Sequence, residues 1–258
     1  MYEKELEVAK TAAREAGKIL LADFGKLKFI GSKSAQEVIT NADYESEKKI
    51  ISLLRNNFPE YSILSEEAGK AEKKSEYMWV VDPLDGTTNY SINNPFFAIS
   101  IALLKNNKPV LGIVYAPVTD ELFHAIKGEG AYLNGEQIRV SEKDNFKESL
   151  MVYCHGYNMK DLKRAIDLFA KIKPLVRDFN RMRAGSLELA FVACGRVLAY
   201  ISPGIKPWDV AAGALLVREA GGKVSDFEGN EWDLEKHDIL ATNGKVHERL
   251  LKIINDNY

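Results

Sequence analysis

The chain has 258 residues and a formal net charge of -2, with 46% hydrophobic and 28% charged residues. That length allows one large domain or two small ones with an ample core, and the composition is ordinary for a globular protein. The near-neutral charge gives no reason to expect nucleic acid as a partner, since a duplex binder normally carries a basic face and a high pI.

Cys154 and Cys194 stand in apolar sequence without metal-ligand or redox spacing, and read as buried free thiols of a reducing cytoplasm. The N-terminus opens with Glu3, Lys4, Glu5 and Glu7 instead of a basic stretch followed by an apolar one. No run approaches about 18 apolar residues, so neither an export signal nor a membrane span is expected.

In residues 3–24, Leu6, Ala9, Ala13, Ala16 and Leu20 recur at helical spacing among charged residues, predicting an amphipathic helix ended near Gly25. Residues 26–42 lack periodicity. Gly31, Ser32, Lys33, Ser34 and Ala35 suggest either a mobile loop beside something anionic or a plain solvated loop. Thr40 or Asn41 can cap a helix over residues 43–57 that buries Ile50, Ile51 and Leu54 and holds Asp43 at its start. A short strand, 61–64, runs into Ser65-Glu66-Glu67, and residues 71–77 form a charged connection.

Residues 78–81 are apolar enough for a buried strand, and Pro83, with its fixed φ and missing N–H, is expected to stop that strand at Asp82. A turn through Leu84-Asp85-Gly86 then delivers Thr87, Thr88 and Asn89 to a helix start, where unpaired N–H groups favour an anion. Residues 96–104, 110–115 and 121–126 read as strands of an antiparallel or mixed sheet, followed by a hairpin over 132–138 whose Asn134-Gly135 pair suits a type I′ turn.

The polar stretch 141–149 is the expected boundary, giving an N-terminal α+β half, 1–145, and a C-terminal α/β half, 146–258. Strands are expected at 150–154, 197–201 and 237–241, and helices at 159–172, 184–195, 208–220 and 246–254. Pro207 takes the first position of the third of these helices and places Asp209 in its first turn.

Taken singly, Asp43 and Asp209 have an ordinary explanation as acids favoured at helix N-termini, and Glu66 and Glu67 as surface charges. Together, Glu66, Asp82, Asp85 and Asp209 all follow apolar strands or open helices, the places where an α/β sheet presents its functional edge. Oxygen ligands without His or Cys point to Mg²⁺ over Zn²⁺. The pattern predicts a metal and phosphate site.

These residues resemble the inositol monophosphatase family, within the magnesium-dependent, lithium-sensitive phosphatases that include fructose-1,6-bisphosphatases and the archaeal-type enzymes acting on both substrates. The resemblance rests on Trp79-Val80-Val81-Asp82-Pro83-Leu84-Asp85-Gly86-Thr87-Thr88-Asn89, on Ser65-Glu66-Glu67, and on Lys206-Pro207-Trp208-Asp209 with Arg218-Glu219-Ala220-Gly221-Gly222. Weaker likeness extends over nearly the whole chain, including Thr40-Asn41-Ala42-Asp43.

The resemblance implies a fructose-1,6-bisphosphatase-like αβαβα sandwich of alternating helix and sheet layers, usually dimeric, with two or three Mg²⁺ between its halves. Glu66, Asp82 and the Leu84 carbonyl would hold the first Mg²⁺; Asp82, Asp85 and Asp209 the second. A third would lie near Glu66, beneath a mobile loop carrying Lys33. Asp43 and Thr87 would orient and deprotonate the attacking water, and the Gly86 and Thr87 amides would bind phosphate. Asp85, Ser186, Ser202, Arg183 and Lys206 are expected against the substrate.

Inositol-specific relatives carry an acid seven positions before the aspartate corresponding to Asp209, and here that position is Ser202. A neutral hydroxyl weakens the expected preference for inositol and makes fructose 1,6-bisphosphate credible. Arg181, Arg183 and Lys206 could then meet a second phosphate, or serve as ordinary surface charges. The implied activity is hydrolysis of sugar or polyol phosphates, inositol 1-phosphate first, in a cytoplasmic homodimer that binds no nucleic acid. The alternatives are a 3′-phosphoadenosine or histidinol phosphate phosphatase, and a regulatory protein contacting the transcription machinery.

Overall fold

A computed structural model describes residues 1–26, 29–32 and 38–256. Its N-terminal part runs α1 (Glu3–Asp23), β1 (Phe29–Ser32), β2 (Val38–Thr40), α2 (Asn41–Asn57), β3 (Ser62–Ser65), β4 (Gly69–Ala71), β5 (Tyr77–Asp85) and α3 (Thr87–Ser91). Then come β6 (Ala98–Lys105), β7 (Lys108–Ala116), β8 (Glu121–Ile126), β9 (Gly130–Leu133) and β10 (Glu136–Ile138). The remainder is β11 (Leu150–Tyr153), α4 (Met159–Ile172), β12 (Asp178–Asn180), α5 (Gly185–Ala193), β13 (Ala199–Pro203), α6 (Pro207–Glu219), β14 (Lys223–Ser225), β15 (Asp238–Thr242) and α7 (His247–Asn255).

Strands β5 and β6 are apolar on both faces because both faces of their sheet are covered. Trp79, Val81, Ile99, Ile101 and Leu103 pack toward the Ala-rich stripe of α1 and toward Ile50 and Leu54 of α2. The alternate residues Val80, Ala98 and Ala102 pack instead with Leu189, Ala211, Ala212 and Leu215 of α5 and α6. Small side chains on this second face let helix and sheet approach closely. A Cβ on Gly112 of β7 would lie 2.8 Å from the Ala212 carbonyl oxygen, so only glycine fits there.

The strand order of this eight-stranded sheet is β10-β9-β8-β7-β6-β5-β3-β4, antiparallel except for the β3 and β5 pair. The five-stranded sheet runs β12-β11-β13-β15-β14, with β11 parallel to both of its neighbours. It contacts α5 and α6 on one face. Leu168 and Ile172 of α4 and Leu250 of α7 join Met151, Ile201 and Leu240 in a third apolar cluster on the other. The layers are therefore α1/α2, large sheet, α5/α6, small sheet, α4/α7, an αβαβα arrangement.

Asn134 and Gly135 both have positive φ (49° and 89°) between β9 and β10, as a type I′ turn demands. Two expectations are corrected, and three short strands are added. Pro83 does not stop β5 at Asp82, because the strand continues to Asp85. Asp82 faces Ser100 and Asp85 faces Ala98, so three steps along β5 are matched by two along β6. Pro83 lies in that bulge, where no ladder donor is needed. The stretch 26–42 contains the antiparallel pair β1 and β2 where a loop is expected, and Lys33 lies outside the described residues. Finally, β4, β12 and β14 are three-residue strands, too short for periodicity to reveal.

Candidate active site

The bulged end of β5 supplies the centre of the site. A cavity of about 720 Å³ is lined by Glu66, Asp82, the Leu84 segment, Asp85, Gly86, Thr87 and Asp209, which arrive from three separate regions of the chain. Asp82 and Asp209 are held in place by backbone donors, and Glu66 by the turn it sits in. Asp82 Oδ1 accepts the Leu84 N–H at 3.0 Å. Asp209, third residue of α6, reaches back to the Lys206 N–H at 3.3 Å as a capping acid. Glu66 follows β3 in a turn pinned by Glu47, whose Oε1 accepts the Glu67 and Ala68 N–H groups at 3.0 Å and the Ser65 hydroxyl.

Glu47 is a positioning residue that the sequence reading misses. Its signal was its place four residues after Asp43, on the same helical face. Along that face Asp43 meets Thr87, Ser46 donates to the Pro83 carbonyl at 2.8 Å, and Glu47 braces the Glu66 turn. One helix therefore orients three parts of the site.

Gly86 adopts φ 94° and caps the short helix α3. A Cβ there would lie 3.1 Å from the Phe96 carbonyl oxygen, 3.2 Å from Ala184 Cβ and 3.3 Å from the Arg183 carbonyl oxygen. Both the left-handed backbone and the close approach demand glycine. Thr87 Oγ1 stands 3.1 Å from Asp43 Oδ1 and 3.0 Å from the Leu84 carbonyl oxygen. Asp43 Oδ2 is already occupied by the Thr40 N–H at 2.8 Å and the Thr40 hydroxyl at 2.6 Å. Only Oδ1 is turned toward Thr87.

Asp85 joins the two parts of the chain. Its Oδ1 accepts the Gly185 N–H at 3.2 Å, and its Oδ2 accepts the Ser186 N–H at 2.7 Å and the Ser186 hydroxyl. These are unpaired donors at the start of α5. Ser186 is fully buried and absent from the cavity wall, where a substrate contact was expected; its hydroxyl engages Asp85 instead. Ser202, only 1% exposed, lies on the wall together with Arg181, Arg183 and Lys206. The wall also carries His155, Lys160, Arg164 and His237, whose scattered positions have no motif spacing in the sequence. The cavity lining thus combines the acids Glu66, Asp82, Asp85, Asp161 and Asp209 with several basic side chains.

Burial, then repulsion from Glu66, Asp85 and Asp209, pushes the Asp82 carboxyl well above the usual carboxylate range. Asp209 is displaced likewise by burial, Asp85 and Glu66. Burial raises Asp85 to about 6 against the opposing pull of its Ser186 hydrogen bonds. Burial also raises Asp43. So many acids driven toward neutrality on one wall are a set that a cation would relieve. Among the described residues no three acids, histidines or cysteines form a ready-made metal cage. Asp82, Asp85 and Asp209 instead spend oxygens on backbone donors. The carboxylates of Glu66, Asp82, Asp85 and Asp209 and the Leu84 carbonyl form an all-oxygen donor set, which suits Mg²⁺.

The model of the inositol monophosphatase family matches residues 1–257. The chain is 37% identical over 255 residues to the Nus factor SuhB of Pasteurella multocida, covering 96% of this chain and 95% of that protein. It is 38% identical over 248 residues to the inositol-1-monophosphatase of a Synechocystis species, covering 95% and 86%. The crystal structure of the extragenic suppressor protein suhB from Bartonella henselae is similar with a TM-score of 0.94 at 33% identity, over 99% of this chain and 100% of that one. The chain therefore belongs to the inositol monophosphatase family, a family of phosphatases.

Proposed function

We propose that this protein is a Mg²⁺-dependent phosphomonoesterase of small sugar or polyol phosphates, acting on inositol 1-phosphate and also on fructose 1,6-bisphosphate. The observation that carries this reading is one cavity lined by Glu66, Asp82, Asp85 and Asp209 together with Arg181, Arg183 and Lys206, and by Thr87 in hydrogen bond with Asp43. Glu66, Asp82, the Leu84 carbonyl, Asp85 and Asp209 would hold two or three Mg²⁺. Bound there, the metal neutralises phosphate charge and stabilises the leaving oxygen.

The chain's own groups do the rest. Gly86 and Thr87 offer backbone donors at the start of α3, and Thr87 passes its hydroxyl proton to Asp43 Oδ1 while taking one from the attacking water. A raised carboxyl pKa makes Asp43 a better proton acceptor for this step. Ser202 can donate to or accept from a substrate hydroxyl, and Arg183 and Lys206 would meet a second anionic group. The same reading makes the protein a cytoplasmic homodimer.

At equal Mg²⁺, a panel of esters tests the substrate class. Inositol 1-phosphate and fructose 1,6-bisphosphate are expected to exceed 3′-phosphoadenosine phosphate and histidinol phosphate by about tenfold or more in kcat/KM, a discrimination within reach of one unpaired polar contact. The reverse order would move the protein to a nucleotide or histidinol branch. The regulatory reading draws on relatives named Nus factor. Capture of RNA polymerase by a protein inactive on every ester would favour it.

The raised carboxyls also predict a pH dependence. An acid whose folded pKa lies above its unfolded value, near 4, stabilises the fold most below that unfolded value and loses this stability as pH rises through the folded value. For Asp85 the loss spans the interval from about 4 to about 6. Mg²⁺ should therefore raise the melting temperature more at about pH 8 than at about pH 5.5, where it must displace protons. Equal gains at both would remove these acids from the metal site.

A further inference from the structure

The turn 181–184, between β12 and α5, faces the motif of β5 and α3 residue by residue. Asp85 takes the Gly185 and Ser186 N–H groups, and Gly86 packs beneath the Arg183 carbonyl and Ala184. Asn89 Nδ2 donates to the Met182 carbonyl at 2.7 Å and to the Phe96 carbonyl at 2.7 Å, tying the turn to its own loop. From the opposite side, Glu188 Oε1 accepts the Met182 N–H at 2.7 Å. The Met182 backbone is thus gripped at both its N–H and its carbonyl, by side chains from different parts of the chain.

Two features indicate that this grip serves more than folding. Arg183 has φ 66°, a left-handed conformation unusual for a long side chain, which costs about 1 kcal/mol or more and persists only where its surroundings over-determine it. Arg183 is nonetheless exposed to the cavity, where a side chain has no packing reason to be large. Glu188 is fully buried, Oε2 has no close hydrogen-bond partner, and the Met182 and Arg183 backbone N–H groups both act on its carboxyl. A fully buried acid with one poorly satisfied oxygen is a poor choice for packing alone.

We propose that Glu188 and Asn89 are positioning residues that clamp the Met182 backbone and thereby hold Arg183 as a specificity element for the second anionic group of a substrate. This rests on the phosphatase reading above. Glu188 touches no substrate and acts through the turn. Releasing one end of the peptide lets the left-handed residue relax and carries its guanidinium away from the wall. A second phosphate then loses its partner, while the ester bound at the acidic end depends on groups held by other bonds.

The test compares Glu188→Ala and Glu188→Gln with the unaltered protein, using fructose 1,6-bisphosphate and inositol 1-phosphate as substrates. Glu188→Ala should raise the ratio of the two KM values, bisphosphate over monophosphate, about tenfold, the scale of one hydrogen bond to the turn. Glu188→Gln keeps an acceptor for the Met182 N–H and should restore the ratio. Parallel changes for both substrates, or Gln behaving as Ala, would overturn the proposal.

Should Glu188→Ala fail to fold, Arg183→Gly decides. Glycine accepts the left-handed backbone, so the melting temperature should rise while the KM for bisphosphate rises about tenfold. A bisphosphate KM equal to that of the unaltered protein would sink the specificity role. Absence of hydrolysis of any ester by the unaltered protein would instead refute the phosphatase reading. The clamp would then be judged by the melting-temperature gain from fructose 1,6-bisphosphate, expected to be smaller in the Ala variant and overturned if equal.

Discussion

Asp85→Asn is expected to lower kcat by about 10²- to 10³-fold at saturating Mg²⁺, the scale of removing a preorganised electrostatic group from an active site. The substitution removes a charge from the acidic wall and places an NH₂ group where a carboxylate oxygen accepts from Gly185 or Ser186. A donor facing a donor leaves a buried N–H unpaired, which costs about 1–3 kcal/mol. The variant should therefore also melt earlier without metal, and steady-state kinetics with excess Mg²⁺ beside a melting curve separate the two effects. Near-normal turnover would remove Asp85 from the metal site. Normal stability would show that its bonds to α5 are not needed to join the two parts of the chain.

Thr87→Ala is expected to lower kcat by about 10²-fold or more, with little change in the Mg²⁺ concentration giving half-maximal rate. The hydroxyl lies between Asp43 Oδ1 and the Leu84 carbonyl, so its loss breaks the proton path and leaves every acidic group of the wall in place. An unchanged kcat would show that Asp43 does not act through Thr87. A parallel weakening for Mg²⁺ would recast Thr87 as a brace for the Leu84 carbonyl. Thr87→Ser, which keeps the hydroxyl, should recover most of the rate.

Several elements were legible because their physics is local. The stripe Leu6, Ala9, Ala13, Ala16 and Leu20 follows helical period, and all five are buried on one face of α1. Asn134-Gly135 states its turn through the backbone angles that such residues tolerate. The acids were found because strands and helices end abruptly beside them. The β5 bulge was misread because Pro83 forbids a ladder donor only where a partner needs one, and that need depends on the register with β6. The bond from Ser186 to Asp85 has no local signal, because burial is not written in a residue's neighbours.

By itself, the sequence determined the helix faces, most strands, the type I′ turn and the acid-rich segments, since these depend on periodicity, backbone preference and the chemistry of neighbouring residues. Only the tertiary structure decided what those segments face. It brought Asp209 and the turn 181–184 against the Asp85 motif, made Glu47 and Glu188 into braces, and drew acidic and basic side chains around one cavity. The physical reason is that burial and pairing depend on which surfaces meet across long stretches of chain, so the electrostatics of the site arise only when its layers are packed together.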